Sequence, residues 1–170
     1  MADPTTTAVP VTLPRLPCSI SQRCDLLLRT EWSQDLPWEQ LSALAQYVDA
    51  YRADKGAEIF RQGGLGHYLC LLVDGRVNVM MEDSTGTRKT LATIEAGKPF
   101  GEMSLIDGEP RSATAVAVED SKVLVLTDKD FEVLSKEHPA LGVNLLGKLA
   151  RLMSQRLRQT SGLLVEYLEG

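Results

Sequence analysis

The segment from Pro99 to Val116, reading PFGEMSLIDGEPRSATAV, holds the side chains of this 170-residue chain that are best placed to do chemistry. Gly101-Glu102 opens a short apolar stretch, and Arg111-Ser112-Ala113 follows it closely. An arginine offers planar donors that suit phosphate oxygens. A hydroxyl, with backbone N–H groups at a short helix start, completes an anion cradle. A carboxylate such as Glu102 repels a phosphate but accepts hydrogen bonds from a sugar hydroxyl. One anion, one hydroxyl and a compact loop together point to a cyclic nucleotide.

Simpler readings compete. Arg111 would suit an exposed ion pair with Asp107 or Glu109, a common and weak arrangement. Asp107 and Glu109 themselves invite an acid/base role, although Asp107-Gly108-Glu109-Pro110 is more simply a turn. No serine has a credible histidine base. The two histidines, His67 and His138, lie far apart, and no metal-ligand spacing occurs. The sequence therefore reads as a non-enzyme without cofactor or metal.

The elements that must position these residues show in the periodicity. Residues 1–18 are rich in Pro and Thr and read as a disordered tail. Residues 19–50 read as N-terminal helices: one over Ser19 to Thr30, and one opened by Pro37 with Leu41, Leu44, Ala45 and Val48 at helical spacing. Residues 51–127 read as strands, with alternation at Tyr68, Cys70 and Leu72 and again at Val77, Val79 and Met81. Asp74-Gly75 is a two-residue hairpin signal. Asp83 to Gly86 is a turn, and Lys89 to Ile94 is the next strand. Many short strands with regular turns indicate a closed or double-sheet β architecture.

Residues 128–170 read as helices again. Thr127 or Asp128 caps the first, and Pro139 opens the second. In that last helix Leu146, Ala150, Met153, Leu157, Thr160, Leu164 and Tyr167 alternate at spacings of four and three, as a coiled-coil seam does. Leu145, Leu149 and Leu152 form a second stripe. One stripe suits the chain's own strands and the other a partner helix; a single wide face on its own domain is the alternative.

Composition bounds the rest. The length suffices for one domain with a proper core. A net charge of −5 gives no electrostatic footprint for nucleic acid. The basic residues Lys148, Arg151, Arg156 and Arg158 fit a solvated helix face. No run has the length of a membrane span, and the N-terminus lacks a signal-peptide pattern. Cys18, Cys24 and Cys70 cannot all be paired with one another. These features fit a cytoplasmic, reduced protein that binds neither membrane nor nucleic acid.

The stretch FGEMSLIDGEPRSATA resembles the phosphate-binding cassette of the cyclic-nucleotide-binding domain family. The resemblance extends from about Leu41 to Glu166. Lys55 to Gly63 is similar to the family's first strand and glycine turn, and Leu71 to Val79 to its central hairpin. The fold implied is α+β, mainly β: a double-stranded β-helix jelly roll, or β-roll, with an N-terminal helix and C-terminal helices. The cassette occupies residues 99–116 of it. The resemblance gives Arg111 and Ser112 the cyclic phosphate, Glu102 the ribose 2′-hydroxyl, and Gly101 and Ala113 close backbone approach to the ligand. It also puts Met103 at the site and gives Val79 and Leu91 the pocket wall, where core packing explains the last two equally well.

Arg156-Leu-Arg-Gln-Thr160-Ser161 resembles the last helix of the catabolite-activator branch. There the threonine-serine pair reaches adenine, the serine from the partner subunit, and the arginine lies near the phosphate. The helix here is about one turn longer before that pair, which puts Thr160 either in the pocket or a turn away. The implied protein is a homodimeric sensor of cyclic AMP, or of cyclic GMP, whose last helix closes over the ligand. Two alternatives stand beside it: an interaction module of the same fold that binds no nucleotide, and a transcription regulator truncated before a DNA-binding domain.

Overall fold

The computed structural model describes residues 12–170. In chain order the elements are β1 (Arg15–Leu16), α1 (Ile20–Leu28), α2 (Trp38–Leu44), β2 (Asp49–Ala53), β3 (Glu58–Phe60), β4 (Tyr68–Asp74), β5 (Arg76–Glu82), β6 (Arg88–Glu95), β7 (Pro99–Phe100), α3 (Glu102–Asp107), β8 (Thr114–Ala117), β9 (Ser121–Thr127), α4 (Asp128–Glu137) and α5 (Pro139–Glu169). Two antiparallel sheets, ordered β1-β2-β9-β4-β7 and β3-β8-β5-β6, close into the expected β-roll with helices at both ends of the chain.

The period-2 geometry of strands explains the two cores. On β4, Tyr68, Cys70 and Leu72 point into the roll, where they meet Ile59, Val77, Phe100, Ala115 and Val123. The residues between them, Leu69, Leu71 and Val73, point outward into a second core with Leu27, Leu41, Leu44, Leu134, Leu141, Leu145 and Leu149. Both faces of β4 are therefore buried, which is why Tyr68 to Val73 is apolar throughout.

Local signals end the helices where chemistry requires. Ser19 and Gln22 form a reciprocal capping box on α1. Thr127 caps α4 by accepting from the Asp130 N–H at 3.1 Å. Pro139 starts α5, which runs 31 residues.

Three expectations are corrected. Residues 12–18 are not all tail: β1 pairs with β2 and Leu13 is buried, whereas residues 1–11 lie outside the described residues. The second N-terminal helix stops at Leu44, and β2 begins at Asp49, before the expected start at residue 51. Asp74-Gly75 is not a hairpin either. β4 pairs with β7 and β9, β5 with β6 and β8, so the chain turns a corner there from one sheet to the other. Gly75 has φ +95°, and a Cβ on it would stand 2.2 Å from Ser121 Oγ and 2.8 Å from the Asp120 carbonyl oxygen. Glycine is thus needed for the corner, by conformation and by space. The true hairpin joins β5 to β6 through Asp83 to Gly86, where the Asp83 carboxylate accepts from the N–H groups of Thr85 and Thr87.

Candidate functional site

Arg111 follows α3, and its backbone is pinned to the glycine turn: its N–H donates to the Gly64 carbonyl at 2.9 Å, and its carbonyl accepts from the Gly63 N–H at 2.8 Å. Its side chain is 4% exposed. The guanidinium lies against two aromatic rings set edge to face, 4.1 Å from the Phe60 centroid and 4.3 Å from that of Tyr68. One Nη donates to the Gly101 carbonyl at 2.7 Å and the other to the Tyr68 carbonyl at 2.8 Å. Nε is buried without a partner. Among the described residues no carboxylate pairs with it, so the surface ion pair with Asp107 or Glu109 does not form. Asp107 instead accepts from the Glu109 N–H at 2.9 Å, closing the expected turn.

Gly101 sits directly before α3 with φ +74°, and a Cβ there would meet Arg111 Nη1 at 2.9 Å and Phe60 at 3.0 Å. The expectation gave Gly101 to the ligand. The structure shows a steric demand within the protein itself, from seating Arg111 and Phe60 together with a left-handed backbone.

Glu102 is buried on α3, and one of its oxygens accepts from Arg156 Nη1 of α5. The other oxygen, Oε2, is buried without a partner. Arg156 also donates to the Pro99 carbonyl at 2.9 Å. The resemblance set Arg156 near the phosphate; the structure shows its ties to the cassette, to Glu102 and Pro99, where α5 crosses the start of α3.

These groups line one cavity of about 580 Å³, within the usual range for a small-molecule site. Val79, Leu91, Gly101, Glu102, Met103, Arg111, Ser112, Ala113, Arg156 and Thr160 all contribute to its wall. Ser112 Oγ lies 3.9 Å from Met103 Sδ, its donor contact there. Leu91 owes its position to a bulge: Val79 pairs with Ala92 and Met80 with Thr90, so Leu91 is the extra residue. Bulges of this kind re-aim a side chain. Thr160 is on the wall, not a turn away from it. Ser161 is exposed and is not on the wall.

The sequence reading missed the two rings around Arg111, and on α5 it missed Leu152, Gln155, Gln159 and Leu163, which also face the cavity. The α5 residues follow the helical period once Arg156 is taken as the origin. The rings carry no such signal, since Phe60 and Tyr68 read as ordinary strand residues. In the core of the roll behind Arg111, burial raises the pKa of the Tyr68 hydroxyl well above its ordinary value and pushes that of the Cys70 thiol up to about 12.

The sequence matches the family model described as the cyclic nucleotide-binding domain over residues 52–138, from β2 to the end of α4. A solved cyclic nucleotide-binding domain from Methylobacillus flagellatus superposes with a TM-score of 0.79 at 29% identity, covering 90% of this chain and 88% of that one. The Thermus thermophilus catabolite activator protein superposes with a TM-score of 0.70 at 36% identity, over 81% of this chain and 62% of that one. The curated cyclic AMP receptor protein of Thermus thermophilus is 38% identical over 121 residues, which are 71% of this chain and 54% of that protein. This chain thus spans about half the length of that relative.

Proposed function

The chain belongs to the cyclic nucleotide-binding domain family, and from that premise we propose that its cavity binds a cyclic nucleotide, cyclic AMP by preference, as a regulatory rather than catalytic module. One observation carries the reading. Arg111 is a buried guanidinium with no carboxylate partner, beside a buried carboxylate with one free oxygen. A buried charge without a counter-charge is costly. A cyclic phosphate supplies the missing negative charge, and a ribose 2′-hydroxyl supplies the donor that Glu102 Oε2 lacks.

Arg111 has five N–H donors and spends two on carbonyls. The remaining donors and the Ser112 hydroxyl serve the phosphate. Val79, Leu91 and Thr160 flank the base. Arg156 ties α5 to the same carboxylate that takes the ribose, so occupancy of the cavity and the position of α5 are coupled. The ligand favours whichever α5 position it binds better.

The outer stripe of α5 supports a homodimer within this reading. Leu146 is 46% exposed and Leu157 68%, whereas Leu145 and Leu149 are buried against the chain's own core. A second copy would cover the outer stripe and bring its Ser161 to the neighbouring site. Among the described residues no helix is long and apolar enough to cross a membrane. The three free thiols fit the reducing cytoplasm as the place of action.

A thermal-shift screen of cyclic nucleotides tests the reading. Cyclic AMP at about 100 times its Kd should stabilise the fold by about 2.7 kcal/mol. No shift with cyclic AMP or cyclic GMP would favour an interaction module instead.

A further inference from the structure

One stretch of chain, residues 60–68, clasps Arg111. The Arg111 backbone exchanges two hydrogen bonds with Gly63 and Gly64, and its guanidinium lies against the rings at the two ends of the stretch, Phe60 and Tyr68. The rings are themselves fixed. Tyr68 is 3% exposed, and its hydroxyl donates to the Ile59 carbonyl at 3.1 Å. Its ring meets that of Phe60 edge to face with centroids 6.3 Å apart, and the Phe60 ring lies 5.9 Å from that of Phe100. Phe60 and Tyr68 differ in one respect: Phe60 lines the cavity and Tyr68 does not.

A buried guanidinium ordinarily takes a carboxylate partner. Here Glu102, the buried carboxylate of the site, is bonded to Arg156 instead. A carboxylate on Arg111 would neutralise it, and an arriving phosphate would have to displace that partner or bear its repulsion. An aromatic face holds a cation through its quadrupole. It brings no net charge and occupies none of the N–H donors. The two donors that the protein does use go to neutral carbonyls, those of Gly101 and Tyr68. Rings and carbonyls alike hold Arg111 without cancelling its charge.

We propose that Phe60 and Tyr68 are positioning residues for the anion: their rings stand in for a counter-ion and keep Arg111 charged and in place while the cavity is empty. This rests on the cyclic-nucleotide reading above, in which the anion is the cyclic phosphate. Once the π faces lose their negative charge, burial of an unpaired guanidinium is no longer offset, and the side chain of the empty protein turns out toward water. Binding must then bring it back and desolvate it again, and affinity falls by that cost. Rings that only fill space entail no such loss as long as their shape is kept.

Fluorination keeps the shape of a ring closely and drains its π face. Position 68 suits the test because Tyr68 does not line the cavity, so its effect on a ligand passes through Arg111. The proteins compared are the parent, Tyr68→Phe and Tyr68→trifluorophenylalanine, each also with Arg111→Met, which keeps a long side chain and removes the charge. Calorimetric titration with cyclic AMP should place Tyr68→Phe within about twofold of the parent, and the trifluoro ring at least about fivefold weaker than Tyr68→Phe, the scale of one cation–π contact. Thermal unfolding without ligand should show the trifluoro ring lowering Tm relative to Tyr68→Phe when Arg111 is present and leaving it unchanged with Arg111→Met. Equal changes in Tm in the two backgrounds overturn the charge role and leave the rings as packing. A loss of Tm confined to the Arg111 background, with unchanged affinity, overturns the positioning role. Both of those outcomes leave the cyclic-nucleotide reading intact. Failure of the parent to bind either cyclic AMP or cyclic GMP overturns that reading and the positioning role with it, and the Tm comparison then decides separately whether the rings hold the charge.

Discussion

In the proposed function Arg111 and Glu102 divide one ligand between them, and each should fail in its own way. Glu102→Ala should weaken cyclic AMP by about 1–3 kcal/mol, the range for a hydrogen bond to a buried charged group. The 2′-deoxy analogue should hide most of that loss, because the donor is already gone. Competition binding of both ligands to both proteins checks this; an equal loss for the deoxy analogue would move the ribose elsewhere. These two residues were legible in the sequence because a phosphate and a hydroxyl demand particular side chains at a short spacing. The environment of Arg111 was not legible: Phe60 and Tyr68 come from strands far from the cassette, and only closure of the roll brings them to the guanidinium. Cys70 lies in the same interior, held neutral by burial with its ionisation at about 12, against about 9 for an ordinary thiol. The raised value belongs to the folded state, so its stabilising contribution is complete below about pH 9 and is lost as pH rises toward 12. Denaturant titrations at rising pH should show the parent losing stability faster above about pH 9 than Cys70→Ala. Parallel declines would mean that the thiol titrates freely in the fold.

Among the elements, α5 carries most of the consequences. Its two leucine stripes have different fates: Leu145 and Leu149 pack inward, and Leu146 and Leu157 remain outside. The spacing at sequence level separated the stripes, but which one faces the domain depends on the angle at which α5 leaves α4, and no local residue pattern encodes that. The same holds for Arg156. Its place on the helix was visible, yet its pairing with Glu102 follows from where α5 crosses α3. The Asp74-Gly75 corner shows the limit from the other side. An Asp-Gly pair between alternating strands reads equally well as a hairpin or as a passage between sheets, and long-range pairing of β4 with β9 decides it. If the outer stripe is a dimer seam, light scattering should give a dimer for the parent, tightened by cyclic AMP, and a monomer for Leu157→Asp, which would bury a charge at the seam. A parent that stays monomeric at high concentration with and without ligand would leave the stripe as exposed surface only.

At the scale of the whole molecule, a closed β-roll and a helical layer share β4 and β9, and the cavity lies where the roll, the cassette and α5 meet. The arrangement puts a buried guanidinium without a carboxylate partner at one end and the long helix α5 along one side. Composition, strand periodicity and the cassette together indicated this architecture; the N-terminal strand β1, only two residues long, has too little pattern to show in sequence. The central claim is that Arg111 waits for an anionic ligand. Isothermal titration of cyclic AMP into the parent and into Arg111→Ala tests it most directly, with circular dichroism to show that both are folded. The account predicts saturable binding to the parent and a loss of about 2–4 kcal/mol in the variant, as expected for removal of a charge-assisted contact to a partly buried phosphate. Equal affinity of cyclic AMP for the two folded proteins would contradict it.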